Sequence, residues 1–118
     1  MSAAGWIGVD LDGTLAYYDK WRGHQHIGFP IRPMMDRVKR WIADGRLVKI
    51  FTARVSGDPA EAEEVRRSIG SWCALNGLPQ LEVTCVKDYH MIELWDDRAV
   101  QVVANEGIPV GKSTRGLE

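Results

Sequence analysis

Short apolar runs alternate along this chain with longer segments in which the apolar residues recur at helical spacing, and Gly or Pro marks the joints. Runs of this kind are typical of strands that are buried on both faces of a sheet. We predict five strands, at residues 6–11, 47–52, 81–86, 91–95 and 108–110.

The segments between these runs predict helices. Pro33, whose fixed φ suits the first turn of a helix, begins a helix that Gly45 stops. A second helix is predicted at residues 60–76, and a short third helix at 98–106, where Gly107 ends it.

Strands that alternate with helices predict an α/β fold, here a Rossmann-like three-layer αβα sandwich around a mostly parallel five-stranded sheet. We expect a single domain over residues 1–118, with a flap at about 16–30, where no period is clear, and a polar tail at about 111–118. Right-handed crossovers would place the carboxyl end of every strand at one edge of the sheet, where such folds bind ligands.

The composition fits one soluble globular domain, with 118 residues of which 45% are hydrophobic and 26% charged. The net charge of −1 gives no general electrostatic reason to favour nucleic acid or an anionic membrane as a partner. No apolar run approaches the length of a membrane span, and residues 1–8 lack the features of a signal peptide. We therefore expect a cytoplasmic protein with no membrane partner.

Polar residues that could carry chemistry follow four of the five predicted strands. They are Asp10 and Asp12, Thr52, Lys87, and Asp96 with Asp97. Because the strands are expected to end at the same edge, these side chains should converge on one crevice. Carboxylates that lie close together repel one another, and a hard divalent cation with oxygen ligands, such as Mg²⁺, neutralises them best.

The remaining residues of this set suit a bound phosphoryl group. Lys87 would add a fixed positive charge, Thr52 a hydroxyl donor, and Gly13 with Thr14 backbone amides that can approach closely. A carboxylate beside such a group can attack it to form an aspartyl-phosphate, and a second carboxylate can transfer the protons. The pattern therefore predicts phosphoryl transfer.

The same residues carry a resemblance to a known family. The run DLDGTL at residues 10–15 matches the DxDGT(L) motif of the haloacid dehalogenase (HAD) superfamily, directly after an apolar strand. The run TAR at 52–54 resembles the second motif of that family, Lys87 the third, and the aspartate pair at 96–97 the fourth, in family order. Since the flap is too short for the cap domain that many members carry, the chain resembles the small cap-less phosphatase type.

The resemblance implies a role for each of these residues. Asp10 would be the nucleophile and a metal ligand, and Asp12 the general acid and base, with its backbone carbonyl on Mg²⁺. The phosphoryl oxygens would be held by Gly13, Thr52, Ala53 and Lys87, and the metal also by Asp96 and Asp97, either of which could be the direct ligand. Arg54 would bind substrate or pair with a nearby acid. Because both aspartates of the first motif are present, a phosphatase is implied rather than a dehalogenase.

Three functions stay open at this point. The first is a Mg²⁺-dependent phosphomonoester hydrolase, a phosphatase. The second is polynucleotide 3′-phosphatase-like processing of nucleic-acid ends, because the run DDR at 96–98 resembles the phosphatase half of polynucleotide kinase/phosphatases. The third is a non-hydrolytic module that binds Mg²⁺ and phosphate. Cap-less members act on large substrates that close the site or borrow a lid from a neighbouring subunit, so a homo-oligomer also stays open.

The predicted flap is rich in aromatic residues and carries His24 and His26. Its aromatic side chains would either pack the flap onto the body of the domain or grip a leaving group such as a base or a sugar. The two histidines lack a third ligand nearby that would make them a metal site, and His90 has no predicted role.

Overall fold

A computed structural model of the chain describes residues 5–111, and its centre is a sheet of four parallel strands. The strands are β1 (Trp6–Asp10), β2 (Leu47–Phe51), β3 (Glu82–Thr84) and β4 (Met91–Trp95), in the order β3-β2-β1-β4. Every neighbouring pair in this sheet is parallel. The prediction of an α/β fold built on a parallel sheet is therefore confirmed.

Two helices connect the first three strands: α1 (Arg32–Ala43) and α2 (Pro59–Leu75). A proline lies in the first turn of each, where its missing N–H costs no hydrogen bond. At the start of α2 the Asp58 carboxylate accepts hydrogen bonds from the backbone amides of Ala60 and Glu61, at 3.1 and 3.2 Å. Such a cap typically stabilises a helix by about 1 kcal/mol. Neither helix is long and apolar enough to cross a membrane in the described part of the chain.

The core lies between one face of the sheet and these two helices. Alternate strand residues contribute to it, together with one apolar side of each helix. The members are Ile7, Val9, Val48, Ile50 and Val83 from the strands, and Met35, Val38, Ala62, Val65 and Ile69 from the helices. Both crossovers run in the same direction along the sheet, and right-handed connections then place both helices on the same face.

The described fold therefore has two layers, and the predicted three-layer sandwich is wrong. Residues 85–90 connect β3 to β4 without a helix, and the carboxylate of Asp88 in this connection accepts a hydrogen bond from Trp6 Nε1 at 2.8 Å. Trp6 lies on the face opposite to Ile7, so this connection covers part of the face that carries no helix.

Two further predictions, a helix at 98–106 and a fifth strand at 108–110, are wrong for the segment that follows β4. It folds back on itself instead: the amide of Val103 donates to the Ile108 carbonyl at 2.8 Å, and that of Val110 to the Gln101 carbonyl at 2.7 Å. The turn between the two arms contains Asn105 at φ 66°. Closely spaced valines favour extended backbone over helix. The arms pair with each other, so the sheet keeps four strands.

The excursion at residues 16–30 returns to its own starting point. The amide of Tyr17 donates to the Phe29 carbonyl at 2.8 Å, and a Cβ atom on Gly28 would lie only 2.0 Å from the Tyr17 carbonyl oxygen. Position 28 therefore requires glycine. Trp72 of α2 donates through Nε1 to the Gly28 carbonyl at 2.9 Å, which ties the base of this flap to the body of the domain.

Candidate active site

Three aspartates meet where β1 and β4 end. The two strands are neighbours, and Val9 is paired with Trp95, so the residues that follow, Asp10 and Asp96, leave the sheet side by side. Carboxylate oxygens of Asp10, Asp96 and Asp97 all lie within 4.8 Å of one another. This cluster is the convergence that the sequence predicted for these three residues, and it could hold a metal ion.

The surroundings of Asp10 change its proton affinity. The pKa of Asp10 is raised from 3.8 to about 8, first by burial, then by a hydrogen bond with Asp97, and further by the charges of Asp96 and Asp97. Burial and like charges both penalise the ionised form. The oxygen donors and the repulsion between them fit a hard divalent cation, whose charge would offset the repulsion and favour the ionised form of Asp10.

This raised pKa predicts how the stability of the metal-free protein depends on pH. The folded protein holds a proton on Asp10 up to about pH 8, whereas the unfolded chain releases it near 3.8. The resulting stability is complete below the unfolded pKa and is lost as pH rises through the folded pKa. We expect thermal unfolding to show a midpoint that falls between about pH 5 and 8, and Mg²⁺ to restore it most strongly at the upper end.

The matched variant for this measurement is Asp10→Asn, which has no proton to lose at that position. Its midpoint should vary less with pH and should respond less to Mg²⁺ than the midpoint of the unsubstituted protein. Equal responses of the two proteins would contradict the assignment of the metal site to this cluster.

Asp12 lies beside the cluster and pairs with Arg54. The guanidinium makes a two-pronged contact: Nε donates to one carboxylate oxygen and Nη2 to the other, both at 2.8 Å. The Arg54 side chain is only 5% exposed. Of the two roles that the sequence left open for Arg54, the geometry therefore favours pairing with an acid.

Arg54 also holds the flap. Its Nη1 donates to the His24 carbonyl at 3.0 Å, its Nη2 to the His26 carbonyl at 2.9 Å, and Trp21 lies with its ring centre 5.0 Å from the guanidinium carbon. A single side chain thus connects Asp12 to the flap. Sequence reasoning missed this connection because backbone carbonyls are present at every position and give no signal in the residue pattern.

Thr52 and Ala53 follow β2 and line the same cavity as the aspartates. Thr52 is buried, and its hydroxyl oxygen accepts a hydrogen bond from the Arg54 amide at 3.2 Å. Because that contact uses an oxygen lone pair, the hydroxyl hydrogen stays free to donate to a ligand. The structure thus brings both residues to the cavity of the aspartates, and their phosphate-binding role stays a prediction.

Gly13 contributes in a different way from the one expected. Its amide donates to the Ala16 carbonyl at 2.8 Å, which commits that donor to the fold. Gly13 has φ 90°, and a Cβ atom there would lie 2.6 Å from a carboxylate oxygen of Asp97. Glycine is therefore needed for Asp97 to approach the first motif, and Thr14 Oγ1 donates to the same carboxylate at 3.3 Å.

Lys87 is not among the residues that line this cavity. It is exposed in the connection between β3 and β4. The next residue, Asp88, is held by the indole of Trp6, which begins β1, and by the His90 amide at 2.8 Å. These contacts direct the connection across the sheet towards the amino end of β4, whereas the aspartates lie at the carboxyl end.

The cavity has a volume of about 530 Å³ and extends from the aspartates to the flap. Tyr18 and Trp21 line its flap side, and His24 Nε2 lies 3.1 Å from a carboxylate oxygen of Glu61 in the first turn of α2. Glu61 could not be singled out from the sequence, since an acid in the first turn of a helix is ordinary. Arg98 also lines the cavity.

Comparisons of the chain with models of protein families, with curated proteins and with solved structures found no match. What the site does is therefore inferred from its own residues and from the motifs that they form.

Proposed function

We propose that this protein is a Mg²⁺-dependent phosphomonoester hydrolase of the cap-less HAD type, which acts through an aspartyl-phosphate on Asp10. The observation that carries the proposal is the meeting of Asp10, Asp96 and Asp97 within 4.8 Å at the carboxyl edge of a parallel sheet. Asp12 beside Asp10 completes the two-aspartate motif, and Thr52 and Ala53 line the same cavity.

The proposed reaction has two displacements. A carboxylate oxygen of Asp10 attacks phosphorus, the bond from phosphorus to the leaving oxygen breaks, and Asp12 gives that oxygen its proton. Water then attacks the aspartyl-phosphate and passes a proton to Asp12, which releases inorganic phosphate and restores Asp10. When bound, Mg²⁺ would neutralise the carboxylates and stabilise the charge that develops on the phosphoryl oxygens.

The residues around Asp10 and Asp12 support these roles of nucleophile and of general acid and base. The hydroxyl of Thr52 is free to donate to a phosphoryl oxygen, and the Ala53 backbone follows it in the same cavity. The two-pronged contact with Arg54 holds the Asp12 carboxylate in one position beside Asp10. Arg54 is in this scheme a positioning residue.

The experiment that tests this proposal is phosphate release from p-nitrophenyl phosphate. We expect turnover with Mg²⁺, a loss of about 100-fold or more after treatment with EDTA, and recovery when Mg²⁺ is added back, because the cation contributes several kcal/mol to the transition state. Turnover that is unchanged by EDTA would contradict the proposal. Mg²⁺ binding with no turnover on a broad panel of phosphoesters would instead support the non-hydrolytic module.

A further inference from the structure

The cavity beyond the aspartates is built for a leaving group of limited size. About 530 Å³ lies within the range of small-molecule sites. The flap that forms one wall is fastened at two points, through Arg54 to Asp12 and through Trp72 to the base of the flap. The wall is thus part of the folded domain.

The charge of the cavity argues against a polyanionic substrate. Five carboxylates and two arginines line it within the described part of the chain. The guanidinium of Arg54 is already committed to Asp12 and to flap carbonyls, which leaves Arg98 alone to meet additional phosphates. One divalent cation would still leave the carboxylates in excess. Proteins that bind nucleic-acid backbones depend on the opposite balance of charge.

The walls nearest the flap offer contacts to a neutral, planar group. Tyr18 and Trp21 both line the cavity and keep 37% and 51% of their surface exposed, so aromatic surface is open to a ligand, although the Arg54 guanidinium covers one face of the Trp21 ring. The Glu61 carboxylate, paired through one oxygen with His24, has capacity to accept hydrogen bonds from hydroxyl or amino groups. Aromatic faces beside such an acceptor suit a base that is attached to a sugar.

We propose that the preferred substrates are nucleoside 5′-monophosphates, an inference that rests on the hydrolase activity proposed above. The base would stack against Trp21 and Tyr18, and hydroxyl or amino donors of the nucleoside would meet Glu61. The bond from phosphorus to O5′ breaks as Asp10 attacks, and O5′ takes the proton from Asp12, so a neutral nucleoside leaves. Nucleoside diphosphates and 3′-phosphorylated oligonucleotides would bring additional negative charge against Glu61.

The test compares kcat/KM for nucleoside 5′-monophosphates, ribose 5-phosphate, a nucleoside diphosphate, a 3′-phosphorylated oligonucleotide and acetyl phosphate. We expect the monophosphates to exceed ribose 5-phosphate by about tenfold or more, as expected for stacking of one base. Trp21→Ala should lower the ratio of nucleotide to acetyl phosphate turnover by about tenfold, mainly through KM. Glu61→Lys should raise turnover of the oligonucleotide relative to the monophosphates.

The matched control is Phe29→Ala on the same flap. Phe29 stacks on Tyr17 at 4.8 Å and does not line the cavity, so its loss should leave the ratio unchanged. Nucleotide binding to the Asp10→Asn protein, measured by calorimetry with and without Trp21→Ala, gives a readout that is independent of turnover.

The outcomes separate the two proposals. Asp10-dependent hydrolysis of acetyl phosphate with no preference for nucleotides over ribose 5-phosphate would overturn the substrate assignment and leave the hydrolase standing. Nucleotide binding that depends on Trp21, without hydrolysis of any phosphoester, would support the pocket and overturn the hydrolase. Preference for the oligonucleotide would overturn the substrate assignment in favour of end processing.

Discussion

Asp10→Asn is expected to lower the rate of phosphate release by at least about 1,000-fold, because an amide cannot form the aspartyl-phosphate that the proposed mechanism requires. The substitution preserves the size and shape of the side chain. The loss should therefore appear in kcat, while substrate that is held by the flap and by Thr52 still binds. Measurement of single-turnover phosphate release at saturating substrate separates these two effects.

Folding of the variant can be checked independently. The pKa of Asp10 is raised to about 8 by burial and by its acidic neighbours, so a neutral amide relieves a repulsion in the metal-free protein. We expect the variant to be at least as stable as the unsubstituted protein at pH 8 without metal. Turnover that survives in a folded Asp10→Asn protein would eliminate Asp10 as the nucleophile.

The matched control for this experiment is Asp36→Asn. Asp36 is exposed on α1, and the substitution makes the same chemical change outside the cavity. Activity and Mg²⁺ dependence should be unchanged in this variant.

The sequence predicted the four strands and the first two helices to within a few residues because their signals are local. Apolar runs mark β1 and β2, and prolines mark the first turns of α1 and α2. The third helix failed because residues 98–106 are few and rich in valine, so the preference of valine for extended backbone outweighed a weak helical pattern.

The residue pattern of the strands does not predict how many layers the fold has. Trp6 and Gly8 are apolar and lie on the face without a helix, so β1 has the residue pattern of a strand covered by helices on both sides. Trp6 is nevertheless buried, at 2% exposure, where its indole donates to Asp88 and Lys49 lies over its ring. Side-chain contacts replace a helix at this point, and they depend on the path of a loop that has no pattern of its own.

The candidate site, like the fold, could be predicted from the sequence only in part. The aspartate cluster was predictable because parallel strands end at one edge of a sheet, which fixes the positions of Asp10 and the pair at 96–97. The placement of Lys87 could not be predicted. Lys87 follows a strand of only three residues, and its position depends on the course of the connection beyond that strand. Glu61 lies in the first turn of α2, where acids are common for structural reasons, and only the folded chain shows that it lines the cavity.

Arg54 provides the second large effect, on stability and activity together. Arg54→Leu leaves the carboxylate of Asp12 without its partner and frees two flap carbonyls from their donor. Removal of one member of a largely buried ion pair is strongly destabilising, and we expect a loss of about 2–4 kcal/mol in the free energy of unfolding, measured with urea. The control is Arg22→Leu, whose pair with Asp19 is exposed to solvent, so its loss should change the free energy of unfolding much less than Arg54→Leu does.

The activity of Arg54 variants distinguishes a positioning role from a purely structural one. Arg54→Lys keeps the positive charge but cannot make the two-pronged contact with Asp12 and reach both flap carbonyls. We expect kcat to fall by about 10- to 100-fold because Asp12 is no longer held in place, even where Arg54→Lys remains folded. The loss should be larger for an alkyl phosphate than for p-nitrophenyl phosphate, because a poor leaving group depends more on the proton that Asp12 supplies.

Hydrogen exchange completes this test, because one side chain holds both Asp12 and the flap. Backbone amides at residues 20–28 should exchange faster in Arg54→Lys than in the unsubstituted protein, since the carbonyls of His24 and His26 lose donors that keep this segment in place. Asp12→Asn, which keeps Arg54, should disturb the flap less. If the Arg54→Lys protein retains full activity towards the alkyl phosphate while its flap exchanges faster, Arg54 serves the fold alone, and the position of Asp12 does not depend on it.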